Sequence, residues 1–214
     1  MIEQLPRVIP SRPGRPEVGN ADHPMRRVTQ QIAFEPGGWT SERQSKVASL
    51  FDGLAPDWNS RFTAEESWQP IDDAFDRGGP MNGPCLEVGA GTGLATARLA
   101  MHFEHITAVD VSLEMLRRFA KVSATPMLAD AGTLPIRSGS VGAIVAVNAF
   151  LFPDEYDRVL APGGAILWVN SLGDATPIHL PTDDVVRAMP GQWRAVTSEA
   201  GWGVWAVLHR ASAQ

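Results

Sequence analysis

Three alternating glycines and two acidic residues form the part of the chain whose residue types and spacing suit ligand chemistry. Gly89, Gly91 and Gly93 follow a short apolar run that contains Glu87, and Asp110 ends the next apolar run. Glycine lets a backbone approach a ligand closely, and three alternating glycines cost more entropy than we expect a turn alone to require. A carboxylate at a strand tip can accept hydrogen bonds from both hydroxyls of a ribose. The pattern predicts a nucleoside-binding strand–turn–helix–strand unit.

The glycine spacing disfavours a nicotinamide dinucleotide as the ligand. A dinucleotide fingerprint has the order G-x-G-x-x-G, which counted from Gly89 requires a third glycine at position 94. That position is Leu94, and the glycine is at Gly93 instead. Glu87, two residues before the first glycine, suits an ammonium group better than a pyrophosphate. A nicotinamide oxidoreductase is therefore the disfavoured alternative.

The order E-x-G-x-G-x-G followed by a strand-end Asp resembles motif I of the class I S-adenosylmethionine-dependent methyltransferases. Later segments resemble the same family: Leu128–Ala131 its adenine-flanking segment, Leu134–Val145 the approach to its fourth strand, and Arg158–Gly164 the approach to its fifth. Phe51–Trp58 is similar to a segment that precedes the core of many members. The resemblance extends over roughly residues 47–209. It is closest to the small-molecule, type 11 group of ubiquinone and menaquinone biosynthesis.

This resemblance implies S-adenosyl-L-methionine as cofactor and assigns its contacts. Glu87 would meet the ammonium group, Asp110 the ribose hydroxyls, and Asp130 the adenine amino group, with the Ala131 amide donating beside it. The cofactor contacts that we expect are Glu87, Gly89, Ala90, Gly91, Gly93, Asp110, Val111, Met115, Asp130, Ala131 and Asn148.

Each of these assignments has a structural alternative. Glu87 could be paired elsewhere, because buried charges need a partner. Asp110 could cap the next helix, although Ser112 already suits that position. Asp130 could be a solvated turn residue, and Met115 could belong to the core.

The acceptor side of the predicted site has few reactive residues. The fourth core strand ends at Asn148, followed by Phe150 and Phe152, and it offers no His, Lys or Tyr as a base. Asn148 and His179, on the loop after the fifth core strand, are the two catalytic candidates, and His179 could act as a general base. The structural alternatives are that His179 is an ordinary surface histidine and that Phe150 and Phe152 fill the junction between the sheet and the next helix. The cysteine and histidine spacing predicts no metal site.

Alternating strand and helix patterns predict an α/β fold with a Rossmann-like, doubly wound, mostly parallel sheet and an antiparallel C-terminal hairpin. We expect core strands at 85–89, 105–110, 125–129, 142–148 and 164–169, and a hairpin of Trp193–Ser198 and Val204–Arg210. We expect helices from 40 or 41 to about 55 and at 71–77, 93–102, 112–121, 154–160 and 182–189.

Three regions follow from the pattern. Residues 1–38 are rich in Pro, Gly and Arg without periodicity, which predicts a flexible arm or, alternatively, a lid over the cofactor. Residues 39–80 form a helical cap, and residues 81–214 form the S-adenosylmethionine-binding domain.

Composition limits the partners. The 214-residue chain has a formal net charge of −6, which argues against a nucleic-acid partner. It has no apolar run of ~20 residues and no signal-peptide core, and its single cysteine favours a reducing cytoplasm. A homodimer is compatible with these features. The 7 tryptophans, with Trp39, Trp58, Trp168 and Trp202 near the predicted site, favour a hydrophobic or aromatic acceptor.

The sequence therefore predicts an S-adenosylmethionine-dependent methyltransferase of a small acceptor. A sulfonium carries its own leaving group, so methyl transfer needs mainly alignment and desolvation, which agrees with the lack of a base at the end of the fourth core strand. A non-catalytic S-adenosylmethionine-binding regulatory or partner protein remains the alternative. The sequence does not distinguish O-, N- and C-methylation.

Overall fold

The computed structural model describes residues 1–61 and 64–211. One sheet runs through the molecule, and its eight strands are β1 (Ile2–Gln4), β2 (Cys85–Val88), β3 (Ile106–Asp110), β4 (Thr125–Leu128), β5 (Val141–Val147), β6 (Leu160–Asn170), β7 (Trp193–Ala200) and β8 (Gly203–Arg210). Their spatial order is β1-β7-β8-β6-β5-β2-β3-β4. Of these eight strands, β8 alone runs antiparallel to its neighbours. The predicted α/β class, mostly parallel sheet and terminal hairpin are confirmed.

Helices cover both faces of the sheet. They are α1 (Pro24–Phe34), α2 (Ser41–Leu54), α3 (Trp58–Arg61), α4 (Gln69–Arg77), α5 (Thr96–Leu99), α6 (Leu113–Leu116), α7 (Pro153–Val159) and α8 (Thr182–Ala188). Short 3₁₀ turns lie at Ala55–Asp57, Glu65–Ser67 and Gly173–Ala175. None of the helices in the described ranges is both long and apolar enough to cross a membrane.

Side chains of the central strands alternate between two apolar cores. In β5, Ile144 and Ala146 belong to one core, whereas Ala143 and Val145 belong to the other. This alternation follows from the two-residue period of a strand, and burial on both faces explains why the strands are apolar throughout.

Two predicted helices are much shorter than expected. The predictions of 93–102 and 112–121 are wrong in length, because regular helix is limited to α5 and α6. A long-range contact explains the early end of α6, since the Ala120 amide donates to the Thr92 carbonyl at 2.8 Å and the Phe119 ring packs against Gly93. The chain therefore turns back to the glycine segment where a helix would have continued.

The N-terminal segment contains regular structure that its composition did not predict. β1 extends the sheet by pairing parallel to β7, which supplies hydrogen-bond partners to a strand too short to stand alone. α1 begins after His23, whose Nδ1 accepts from the Met25 amide, and Pro24 suits the first helical position. Its residues Ile32 and Ala33 are buried. The expectation of an irregular segment is therefore wrong for β1 and α1, while the division into three regions stays a prediction.

Candidate cofactor-binding site

A cleft opens at the carboxyl ends of the central strands. Strand order reverses between β2 and β5, because the chain first builds β3 and β4 on one side and then crosses to the other. Open α/β sheets bind ligands at such a switch point. The cleft encloses about 950 Å³ including its mouth, and its wall comes from the tips of β2, β3 and β5 and from aromatic residues between positions 39 and 68.

The glycine turn after β2 forms the floor of this cleft. Gly89, Gly91 and Gly93 all have positive φ, at 71°, 57° and 82°. A Cβ at Gly89 would lie 3.0 Å from the Ala149 Cβ, whereas one at Gly91 would meet its nearest neighbour, Trp58 Nε1, only at 3.7 Å. The positive φ angles mean that the backbone of the turn itself favours glycine at all three positions. The expectation that a turn without a ligand would not require three glycines is therefore corrected.

Glu87 is a buried carboxyl in the cleft wall. It is 1% exposed, and its Oε2 accepts a hydrogen bond from the Thr96 hydroxyl at 2.5 Å. Burial raises the Glu87 pKa to about 8, the Thr96 hydrogen bond opposes this rise, and the nearby Asp110 carboxylate adds to it. Among the residues that the structure describes, no lysine or arginine forms an ion pair with Glu87. The position is therefore suited to a cation supplied by a ligand.

Asp110 holds the glycine turn and the start of α6 together. Its Oδ2 accepts from the Gly91 amide and its Oδ1 from the Ser112 amide, both at 2.7 Å. Burial raises the Asp110 pKa, while these backbone hydrogen bonds oppose the rise. Ser112 caps α6 through its Oγ, which accepts from the Met115 amide at 3.1 Å. Asp110 thus lies at the cleft wall, with its carboxylate held by backbone amides of the glycine turn and of the segment before α6.

The structure brings together most of the residues that the sequence predicted as cofactor contacts. Those in the cleft wall are Glu87, Gly89, Ala90, Gly91, Asp110, Val111, Met115, Ala131 and Asn148. Gly93 and Asp130 are not part of the wall. Gly93 is covered by the Phe119 ring, and Asp130 Oδ1 accepts from the Trp39 indole Nε1 at 2.8 Å.

Residues 86–168, which carry this site, match the family model described as a methyltransferase domain. The chain thus contains a segment that is similar to methyltransferase domains. The sheet order and the terminal hairpin of the chain agree with that similarity.

Two curated relatives of this methyltransferase domain match part of the chain. A 23S rRNA (guanine(748)-N(1))-methyltransferase of Streptomyces fradiae is 35% identical over 94 residues, which cover 42% of this chain and 34% of that protein. An uncharacterized methyltransferase of Mycobacterium tuberculosis is 33% identical over 108 residues, which cover 42% of this chain and 44% of that protein. The chain therefore spans less than half the length of these relatives.

Solved structures agree on the fold of the methyltransferase domain. The complex of DhpI with SAH matches with a TM-score of 0.59 at 16% identity, over 87% of this chain and 98% of that one. A protein of Thermotoga maritima, described as a possible histamine N-methyltransferase, matches with a TM-score of 0.59 at 15% identity, over 76% of this chain and 99% of that one. At such low identity the likeness shows the fold alone.

Asn148 lies in the cleft wall of the methyltransferase domain with its side chain already bonded. It follows β5 with a φ of 50°, an uncommon value for a residue other than glycine. Its Nδ2 donates to the Ser171 hydroxyl at 2.7 Å, and its Oδ1 accepts from the Ser171 amide at 2.8 Å. This amide therefore joins the tips of β5 and β6.

His179 lies behind the cleft wall, next to Ile178, which is part of the wall. Its Nδ1 is 3.0 Å from an Arg26 guanidinium nitrogen. Burial and the Arg26 charge lower the His179 pKa to about 4. Because arginine only donates, Nδ1 must accept, and the ring proton of neutral His179 is on Nε2. His179 is thus a hydrogen-bond donor at neutral pH in this arrangement.

Aromatic residues from outside the matched domain complete the cleft of the methyltransferase. Trp39, Phe51, Trp58 and Trp68 line it. The prediction that tryptophans lie near the site holds for Trp39 and Trp58. It is wrong for the two tryptophans that lie elsewhere, Trp168 and Trp202, because the former is buried in the core and the latter donates to the Arg12 carbonyl. Sequence analysis did not place Phe51 or Trp68 in the site, and the resemblance of the Phe51–Trp58 segment was the available signal for Phe51.

Residues 1–38 lie beside the cleft. Within the described ranges, the cleft wall begins at Trp39, and no residue before it takes part. The segment instead extends the sheet through β1 and reaches the loop after β6 through Arg26.

Proposed function

We propose that this chain transfers a methyl group from S-adenosylmethionine to a small, apolar or aromatic acceptor. The observation that carries the proposal is Glu87, a buried carboxyl in the cleft wall that lacks a cationic partner among the described residues and lies next to the glycine turn and Asp110. An uncompensated buried carboxyl is costly, so its position is best explained by a ligand that brings a cation.

The residues in the cleft fit the amino-acid and ribose parts of this cofactor. Glu87 would pair with the ammonium group, and the pair would favour the charged form of the carboxyl. Asp110, which lies at the cleft wall, would accept hydrogen bonds from the ribose hydroxyls. Gly91 provides open space beside this carboxylate, because a Cβ there would have no neighbour closer than 3.7 Å.

Methyl transfer to such an acceptor requires alignment and exclusion of water more than acid–base chemistry. When bound, the sulfonium supplies both the methyl group and the leaving group. The protein then needs to position the acceptor and keep the site dry. The half-buried or buried rings of Trp39, Phe150 and Phe152 suit both tasks. Asn148 supports them indirectly by fixing the tips of β5 and β6 through Ser171.

The acceptor class rests on the aromatic residues of the cleft wall. Phe51 packs edge-on against Trp58, with ring centroids 5.8 Å apart, and both line the cleft. Flat apolar groups bind well against aromatic rings. The net charge of −6 supports a small acceptor over RNA, although the Streptomyces fradiae relative is a 23S rRNA methyltransferase. A cytoplasmic location and a homodimer remain predictions.

Two measurements test the proposal. Calorimetry should show binding of S-adenosylhomocysteine and little binding of NAD, and the opposite ranking would reject it. Radiolabelled S-adenosylmethionine should then label the small-molecule fraction of a cell extract. Label in the RNA fraction would reject the small acceptor, and tight binding with no labelling of any fraction would favour a non-catalytic binding protein.

A further inference from the structure

The carboxylate of Asp130 is bonded to Trp39, a residue of the cleft wall. Ala129 and Ala131, on either side of Asp130, line the cleft, and so does Trp39, whereas Asp130 does not. The Trp39 indole Nε1 donates to Asp130 Oδ1 at 2.8 Å, and the Gly132 amide donates to the same oxygen at 2.7 Å. The residue that the family resemblance assigns to the adenine amino group is thus bonded to a tryptophan 91 positions earlier.

The surroundings of Trp39 are shaped to hold its ring. A Cβ at position 132 would lie 2.8 Å from the Trp39 Cδ1, so Gly132 leaves the space that the indole fills. On its other side, the ring packs against Phe152 with centroids 5.3 Å apart and nearly perpendicular planes, and against Phe150 at 5.9 Å. Three independent features therefore fix one orientation of this side chain: the Asp130 hydrogen bond, the glycine and the two phenylalanines.

We propose that Asp130 is a positioning residue that fixes the Trp39 indole against the loop after β4, and that Trp39 rather than Asp130 contacts the adenine of the cofactor. This inference rests on the proposed function, because it needs a nucleoside in the cleft. An indole held beside Ala129 and Ala131 offers an apolar face on which a flat base can stack. Base recognition would then depend on a residue outside the matched domain, residues 86–168.

The Asn and Ala variants of Asp130 distinguish positioning from direct recognition. In Asp130→Asn the amide oxygen still accepts from the indole, so S-adenosylhomocysteine should bind within about threefold of the wild type. Asp130→Ala removes the acceptor and should weaken binding by about tenfold. If the carboxylate instead accepted the adenine amino group through Oδ2, with Oδ1 still held by Trp39 and Gly132, then Nδ2 of Asp130→Asn would replace that acceptor with a donor facing the amino group. An equal, large loss in both variants would overturn the proposal.

A double-mutant cycle with Trp39→Phe adds a second criterion. Phenylalanine keeps an aromatic ring and removes the indole donor, so Asp130→Ala should cost no further affinity for S-adenosylhomocysteine in the Trp39→Phe background. The same loss in both backgrounds would show that Asp130 acts without Trp39 and would overturn the proposal. Trp193→Phe is the matched control, because it removes an indole bond to the Pro190 carbonyl at the opposite end of the sheet and should leave binding unchanged.

Thermal unfolding of the ligand-free protein separates this inference from the proposed function. The effects of Trp39→Phe and Asp130→Ala on Tm should be non-additive, because either change breaks the same hydrogen bond. Additive effects would overturn the positioning role. A wild-type protein that does not bind S-adenosylhomocysteine would reject the proposed function, whereas the unfolding cycle would still decide whether Asp130 positions Trp39.

Discussion

The two sides of the cleft are built in different ways. On the β2–β3 side, Glu87, the glycine turn and Asp110 come from one continuous stretch of chain, and their polar groups have fixed partners. On the opposite side, rings from separate segments, such as Trp39, Phe51 and Phe150, form the wall. The first side can recognise one ligand through charge and hydrogen bonds. The second selects mainly by shape and apolar contact, so it can change its ligand without changing the fold.

The largest expected effect concerns Asp110→Ala on the polar side. Loss of the hydrogen bonds that the ribose hydroxyls would donate to this charged acceptor should cost ~2–3 kcal/mol, or about 30- to 100-fold in affinity for S-adenosylhomocysteine. Tm should fall as well, because the Gly91 and Ser112 amides lose their acceptor. Calorimetry and thermal unfolding measure both effects.

Asp52→Ala is the control for this experiment. Asp52 accepts from the Ser112 hydroxyl at 2.6 Å and from the Glu114 amide at 3.0 Å, but it is not part of the cleft wall. It should therefore lower Tm with little loss of affinity. If Asp110→Ala behaved in the same way, Asp110 would serve only the fold.

The polar side could be predicted from sequence because its contacts are local. Gly91 and Asp110 are 19 positions apart, and the strand pattern between them is regular. The glycine spacing therefore predicted both the type of fold and the residues that form the turn. The same reasoning explains why the parallel strands and the terminal hairpin were predicted with nearly correct bounds.

Trp39 and Trp58 were expected near the site, but the contacts of the aromatic side could not be predicted, because they join distant segments. Nothing in the local pattern around Trp39 or Asp130 indicates that they are bonded across 91 positions. The short α6 has a similar cause, since the hydrogen bond from the Ala120 amide to the Thr92 carbonyl overrides local helical preference. The N-terminal strand also depends on a distant partner, β7, which composition alone does not reveal.

A second prediction concerns Glu87, on the polar side, and the pH dependence of the affinity for S-adenosylhomocysteine. Because the Glu87 pKa is raised to about 8 in the free protein, most of the carboxyl is protonated at pH 6 and must lose its proton to pair with an ammonium group. The affinity for S-adenosylhomocysteine should therefore rise by roughly tenfold between pH 6 and 7 and by less as pH 8 is approached. Calorimetry in buffers of different ionisation enthalpy should also detect the released proton.

Glu87→Gln should remove this pH dependence. Glutamine has no proton to lose, so its affinity should be lower than that of the wild type at pH 8 and nearly constant from pH 6 to 8. A wild-type affinity that does not change over this range would mean that Glu87 does not meet the ammonium group.

A third prediction concerns His179, behind the aromatic side. Its folded-state pKa, about 4, lies below its ordinary value, so the unfolded chain takes up a proton first as the pH falls. Its contribution to stability is therefore present above about pH 6.5 and is lost as the pH falls towards 4. His179→Gln should reduce the fall in Tm over that range by a few degrees, as measured by thermal unfolding.

His105→Gln is the matched control, because His105 is exposed at the start of β3, away from the cleft. It should not alter the acid dependence. If His179→Gln and His105→Gln gave the same profile, the contact with Arg26 would not control the charge of His179.

The smallest expected effect on binding is for removal of β1, at the edge of the sheet farthest from the polar side. Deleting residues 1–5 removes the pairing of β1 with β7 and should lower Tm. Three strands, β7, β8 and β6, separate β1 from β5, the nearest strand of the cleft, so affinity for S-adenosylhomocysteine should stay within about twofold of the wild type. Trp39→Ala should show the opposite result, a clear loss of affinity, because Trp39 lies in the wall itself. A loss of more than about tenfold on deletion of residues 1–5 would contradict this contrast. It would instead support the alternative that the N-terminal segment closes over the bound cofactor as a lid.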